Sequence, residues 1–415
     1  MRVHNEARGS SKNRFENVTM LLFAVLLFAF ANASEAQEQA PPSRPVLTAS
    51  QILSRSVFQF SAVGAAGLFY SIQASSNLMD WQTLAFEFSS SGRALYSDGE
   101  MANRPFRFYR TQVNPPNSVV YTNYHGWSNS ITLNNGLVEA VIAPTVGRVM
   151  QFRFPGEEGP FWENTNRYGK LPSPEDWNLY TGSFGGDKSW PAPQSVWNWP
   201  PPRGFDGMTN SVTVTNGIVT LVTPVDPLYQ ARSIRQIELS FGEPVMRIIT
   251  TFERISTSTK TNKVSVWVIT QLRDPVKCYI PIPRPSIFPS GYLRQSDTAP
   301  PNLTVTNGLI SFVRDIRASH KIGSDSSTLL WLGTKVALRI DAARAPGVAP
   351  QDYPDNGSSV EIYTNPDPTA YVELETLGPM EALLPGARIS RTNLYRLYRR
   401  TEIDPDLEAR KILGR

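Results

Sequence analysis

The segments ITLNNG (131–136), VTVTNG (212–217) and LTVTNG (303–308) share one design. Each is a run of alternating apolar and polar residues that stops at Asn-Gly, and each is followed by a second alternating run. Alternation places successive side chains on opposite faces of an extended strand. Asn-Gly supplies the positive φ angles that a tight two-residue hairpin turn demands. Three such hairpins spread over nearly 180 residues predict a large antiparallel β architecture. Further strands are expected at 245–252, 263–271, 328–331, 337–340, 359–363, 371–376 and 388–398. So many strands must close into two large packed sheets or a barrel, because open edges invite wrong pairing. Thr, Val, Tyr and Phe are frequent and helix-forming stretches are thin, which points to the same all-β class.

The 415 residues exceed one ordinary domain. Residues 45–113 read as a small β-sandwich of short strands, among them VFQF (57–60), LFYSIQ (68–73) and PFRFYR (105–110), with a turn in ASSNLMDW (74–81). The sequence NPPN (114–117) is a natural boundary, and the large domain is expected over 118–400, with 401–415 as a C-terminal tail. At the N-terminus, Arg2, Arg8, Lys12 and Arg14 precede an apolar run over 18–30, followed by small residues. That is the layout of a secretory signal peptide (1–33) followed by a polar linker (34–44). The run is short for a membrane span, which needs about 20 residues, although an uncleaved anchor is the alternative. The expected location is secreted, periplasmic or at the cell surface. The single cysteine, Cys278, excludes an intramolecular disulfide and reads as a buried thiol. The formal net charge is +4 and no dense basic block interleaves with aromatics, so nucleic-acid binding is not expected.

Residues 182–206, GSFGGDKSWPAPQSVWNWPPPRGFD, carry three tryptophans (Trp190, Trp197, Trp199) among prolines and glycines. Such a run predicts a long stiff loop and excludes a central strand. Indole plates beside Asp187, Lys188 and Gln194 suit a sugar, whose C–H face stacks while its hydroxyls meet the polar groups. The alternative is that the tryptophans plug one end of the sandwich.

The expected chemistry lies near the C-terminus. On YVELE (371–375), Tyr371, Glu373 and Glu375 share one strand face. Two close carboxylates push each other's pKa values apart and can form an acid–base pair. Glu375 is the first choice as base and Glu373 as its partner. A polar outer strand face is the plain alternative. Retaining glycoside hydrolysis would also use two carboxylates about 5 Å apart. His320, in a segment read as a loop, is the candidate acid, and His125 is assigned a structural role. Arg148 and Lys321 join Asp187 and Lys188 as candidate binders of hydroxyls or of an acidic sugar, or as surface ion pairs worth little. Neither a His-x-x-x-His pair nor an Asp-rich calcium loop is present, so neither metal nor cofactor is expected. The expected partner is a mono- or oligosaccharide.

Several segments together resemble the DUF4380 type of secreted bacterial proteins, within the galactose-mutarotase-like β-supersandwich group. They are HGW (125–127), APTVGRVM (143–150), GGDKSWPAPQSVWNWPPP (185–202), HKIG (320–323), YVELETLGP (371–379) and LPG (384–386). The resemblance spans nearly all of the large domain and implies a supersandwich that binds carbohydrate. Leu374-Glu375-Thr376 resembles the strand on which mutarotases place their general base, and Val146-Gly147-Arg148 resembles an early turn of theirs. The Asn-His segment that supplies their acid has no counterpart, and the residues after Thr376 also depart. Residues 45–113 resemble an immunoglobulin- or fibronectin-like module, which implies a spacer or adhesion unit.

Overall fold

The computed structural model describes residues 45–54, 57–66, 68–79, 81–89, 91–99, 107–114, 118–173, 184–258, 263–298 and 300–415. The expected signal peptide and linker, and positions 105, 106 and 115–117, lie outside the described residues. No helix among the described residues is long and apolar enough to cross a membrane.

Residues 45–114 form two three-stranded antiparallel sheets. One runs Val46–Ser54, Val57–Val63, Arg93–Asp98, and the other Gln82–Ser89, Leu68–Ser75, Phe108–Asn114. Alternation works as read: Phe58, Phe60, Tyr70 and Ile72 are buried together with Ala62 and Ala94.

The large domain is built from an eleven-stranded and a ten-stranded antiparallel sheet among the described residues. In the first, the order across the site is His320–Ser324, Val360–Thr364, Tyr371–Leu377, Lys263–Arg273, Asp187–Ala192, Arg148–Arg153. The second runs from Ser211–Thr215 and Ile218–Val222 at one edge, through Ala231–Leu239, Val245–Arg254 and Arg388–Arg399, to Leu309–Phe312 and Thr304–Thr306 at the other. Apolar side chains of both sheets share one core: Phe152, Leu272, Val372 and Leu374 from the first meet Ile237, Met246, Ile340 and Leu397 from the second. The all-β sandwich of two large sheets expected from the alternation is therefore present.

Two of the three Asn-Gly turns are the expected tight hairpins. Thr215 pairs with Ile218 and Thr306 with Leu309, and Asn216, Gly217, Asn307 and Gly308 all have positive φ. They form the two opposite edges of the second sheet. The first turn is wider, because Asn134 pairs with Glu139. The Asn135 side chain accepts from the amides of Leu137 and Val138, and its own amide donates to Ser240 and Glu243 carbonyls. That anchoring holds the loop open against the second sheet. Residues 401–415, expected as a tail, contain the helix Pro405–Leu413, capped by the Asp404 carboxylate. Its Ala409 packs on Tyr279, Leu330 and Leu332 of the second sheet.

The largest departure is at 182–206. Instead of one long loop, Asp187–Ala192 is a fully buried strand inside the first sheet. Proline is tolerated there because pairing toward Arg148–Arg153 lasts for one residue pair, Val149 with Asp187. Pro191 therefore faces an open side where no ladder needs its missing N–H. Gly186 makes the entry possible: its φ is +73°, and a Cβ would stand 2.5 Å from the Val149 carbonyl oxygen. Only 193–206 behaves as the expected proline-rich loop.

Candidate functional site

Each strand of the first sheet turns alternate side chains toward the sandwich core and toward the opposite, outer face. On Tyr371–Leu377, Val372 and Leu374 enter the core, and Thr376 accepts from Asn393 of the second sheet at 2.8 Å. Tyr371, Glu373, Glu375 and Leu377 therefore take the outer face. Register places Glu361 beside Glu375, Tyr363 beside Glu373 and Lys321 beside Tyr363 on one flank. On the other flank Gln271, Ile269 and Trp267 stand beside Glu373, Glu375 and Leu377, and Lys188 and Trp190 stand beside Ile269 and Trp267.

These side chains engage one another. The Lys321 ammonium lies 2.7 Å from Glu361 and 2.9 Å from Glu375, over the Trp267 ring. The Trp267 indole N–H donates to the same Glu375 oxygen at 2.8 Å. Gln271 donates to Glu373 at 2.9 Å, and Gln295 donates to Glu361. The Lys188 ammonium sits 3.9 Å from the centroid of the Trp190 ring. Trp190 in turn meets Trp267, Trp197 and Trp199 edge-on, at 5.5, 5.7 and 6.0 Å. A continuous row thus runs from Lys321 and the three glutamates, across Trp267, to the tryptophans of the proline-rich loop.

Burial sets the electrostatics of this row. It pushes Glu373 up to about 7, with Lys188 pulling downward and Glu375 adding to the rise. It pushes Glu361 up to about 8 against the pull of Lys321. It pushes Lys188 down to about 8, helped by the Arg148 charge and opposed by Glu373, Asp206 and Glu375. Burial also depresses Lys321, but Glu361 and Glu375 together outweigh it and hold the ammonium above the ordinary lysine value. Two groups with opposite charge changes, Glu373 and Lys188, therefore titrate close to neutral pH on one face. That is the condition for moving protons there.

Several expected site residues stand elsewhere. Asp187 points into the core, where it is fully buried by an ion pair with Arg235 and by Thr270 and Tyr395 hydroxyls, each donating at 2.6 Å. It wires the two sheets together and presents nothing to a ligand. His320 precedes Lys321 on a strand, so the two point to opposite faces. Its imidazole is buried, 2.8 Å from Asp315 and 3.1 Å from the Thr298 carbonyl oxygen, apart from the glutamates. It therefore cannot act as the acid for this site. Arg148 lies beneath the surface, paired with Asp206 at 2.6 Å and donating to the Gly185 carbonyl. Gly147 directs it there, in a left-handed turn where a Cβ would meet the Asn210 side chain at 2.8 Å. Trp190 is buried too, its indole N–H bound to Asp206, so it supports the site from below. Gln194 is exposed and donates to Asn198 within its own turn. Trp197 is half-buried, its N–H bound to the Pro191 carbonyl, and Trp199 is the exposed plate at 52%.

Trp267, Gln271, Glu361 and Tyr363 are site residues the sequence reading did not single out. Their signal is plain alternation: Trp267, Ile269 and Gln271 against Val266, Val268 and Thr270, and Glu361 and Tyr363 against Val360 and Ile362. Elsewhere, Cys278 is buried as expected and its thiol is pushed up by burial. His125 stacks on Tyr168 at 3.9 Å and lies 3.8 Å from Glu163. Among the described residues no group of three or more His, Cys, Asp or Glu is placed to hold a metal ion.

An open cleft of about 810 Å³ lies next to the row, lined by Trp197, Pro200, Pro201, Pro202, Arg203, Met208, Val225 and Asp226 among others. It does not contain the glutamates. The glutamate row and this cleft are distinct, and Trp197, which packs on Trp190 and lines the cleft, joins them.

Solved structures similar to this chain include galactose mutarotase-like proteins. A galactose mutarotase-like protein from Lactobacillus casei ATCC 334 matches at 10% identity and TM-score 0.45, over 65% of this chain and 100% of that one. One from Clostridium acetobutylicum matches at 11% identity and TM-score 0.46, over 68% and 99%. Galactose 1-epimerase from Lactobacillus acidophilus NCFM matches at 12% identity and TM-score 0.42, over 68% and 99%. No protein-family model matches the chain, and no curated protein matches it.

Proposed function

We propose that this chain binds carbohydrate on the outer face of its first large sheet and performs epimerase-type acid–base chemistry there. The observation that carries this reading is the placement of Glu373 and Lys188 on one sheet face beside an aromatic row, where burial pushes the first up to about 7 and the second down to about 8. Opening a sugar ring needs a base at the anomeric hydroxyl and an acid at the ring oxygen. Glu373, ionised, takes the hydroxyl proton as the bond from the anomeric carbon to the ring oxygen breaks. Lys188 gives a proton to that ring oxygen. Reclosure from the other face reverses both transfers, so no net proton is consumed. Glu375, held by Lys321 and Trp267, sets the field around Glu373 and orients hydroxyls. In this reading the chain is a supersandwich protein of the DUF4380 type. In the same reading 1–33 directs secretion to the periplasm, cell surface or medium, and the small module is an immunoglobulin- or fibronectin-like spacer.

The test follows anomer exchange of a panel of aldoses by NMR, with wild type and Glu373→Gln. Acceleration by wild type and its loss in the variant, with sugar binding retained, is the expected result. A wild type that leaves the exchange rate of every aldose unchanged removes the catalytic reading. A second reading, binding without chemistry, is favoured by the cleft at Trp197, which contains no acid–base pair. It predicts sugar-dependent tryptophan fluorescence with no effect on anomer exchange.

A further inference from the structure

We infer that the ligand is an oligosaccharide, whose end ring lies at Glu373 and whose following rings cross the Trp199 indole into the cleft beside Pro200. This rests on the carbohydrate reading above and narrows its substrate class. Three features carry it. First, Trp197 belongs to both places: its ring packs on Trp190 at 5.7 Å and also lines the cleft. Packed tryptophans, Trp267, Trp190 and Trp197, therefore link the glutamate row to the hollow. Second, Trp199 is 52% exposed although it packs edge-on against Trp190. A rigid indole left half in water between a proton-moving row and a cleft is a stacking plate in search of a flat apolar face, and the C–H face of a pyranose is one. Third, the cleft has the size of small-molecule sites, roughly 300–1,000 Å³, and is larger than one ring requires.

The chemistry of the walls fits a ring that is held and not transformed. Prolines, Met208 and Val225 give apolar contact. Asp226, the carboxylate there, is committed: it accepts from the amides of Gly204, Leu228 and Tyr229. That stiffens the wall and leaves proton transfer to the Glu373 end alone.

The experiment titrates the full chain with glucose, galactose, xylose and N-acetylglucosamine, and with the oligosaccharides of two to five units built from each, by calorimetry. The expected result is that at least one series tightens by about tenfold or more between one and three rings, a gain of about 1.4 kcal/mol. Trp199→Ala reduces that gain to within about twofold, and Trp199→Phe restores most of it. Monosaccharide binding with no length dependence overturns the inference and leaves the carbohydrate reading standing. So does a length dependence that survives both Trp199→Ala and Arg203→Ala, which would put the extra rings elsewhere. Binding of no sugar at any length removes the carbohydrate reading itself.

Discussion

Lys321→Met isolates the electrostatic logic of the glutamate row. Glu361 and Glu375 are fully buried, and the Lys321 ammonium touches both, at 2.7 and 2.9 Å. Removing one partner of a buried ion pair typically costs about 3–5 kcal/mol. Here the cost has a pH signature. Burial already pushes Glu361 up to about 8 against the pull of Lys321, so losing the ammonium leaves buried carboxyls without their cation. A buried carboxylate without its cation takes up a proton, while the unfolded chain loses that proton above about pH 4.3. Each pH unit above that value costs about 1.36 kcal/mol. The destabilisation is therefore about 4 kcal/mol at pH 7.5 and about 1 kcal/mol at pH 5. The variant's native state holds the extra proton, so its stability falls as pH rises through this window, relative to wild type. Urea denaturation of both proteins at pH 5, 6 and 7.5 measures it. A difference below about 1 kcal/mol at pH 7.5, or one that does not change with pH, would refute the reasoning.

Two further outcomes follow from the same geometry. With Glu373 at about 7 and Lys188 at about 8, kcat/KM for anomer exchange should rise through pH 7 as the base ionises and fall through pH 8 as the acid deprotonates; a flat profile between pH 6 and 9 would contradict those roles. Asp187→Leu should destabilise the fold by about 3–5 kcal/mol, because it strands the Arg235 charge between the sheets, while sugar affinity of the folded fraction stays unchanged; a selective loss of affinity in calorimetry, with the denaturation midpoint unmoved, would place Asp187 at the ligand after all.

The strands were legible wherever alternation was undisturbed. The expected runs at 245–252, 263–271 and 388–398 appear as Val245–Arg254, Lys263–Arg273 and Arg388–Arg399. Asp187–Ala192 was not legible, because Pro191 and the flanking glycines carry the composition of a loop. What permits a strand there is that one neighbour departs after a single residue pair, and that is a property of the chain path. The shared face of Glu373 and Glu375 could be read from two-residue spacing. Their partners could not, because only the strand order sets Glu361 and Trp267 on either side of them. His320 and Asp187 were misplaced for one reason: both segments were read as loops, in which adjacent residues can converge, whereas a strand sends them apart.

That alternation ties two jobs to one short ribbon. Between consecutive Cα atoms, about 3.8 Å apart, the chain passes from a carboxylate that bolts the layers together to an ammonium that lies over the Trp190 ring on the opposite face. A single-codon deletion or insertion inside Asp187–Ala192 would exchange the two, driving lysine into the interior and leaving Arg235 without its counter-charge. Length variation in descendants of this gene should therefore collect in the 193–206 loop, and the six residues before it should change by replacement only.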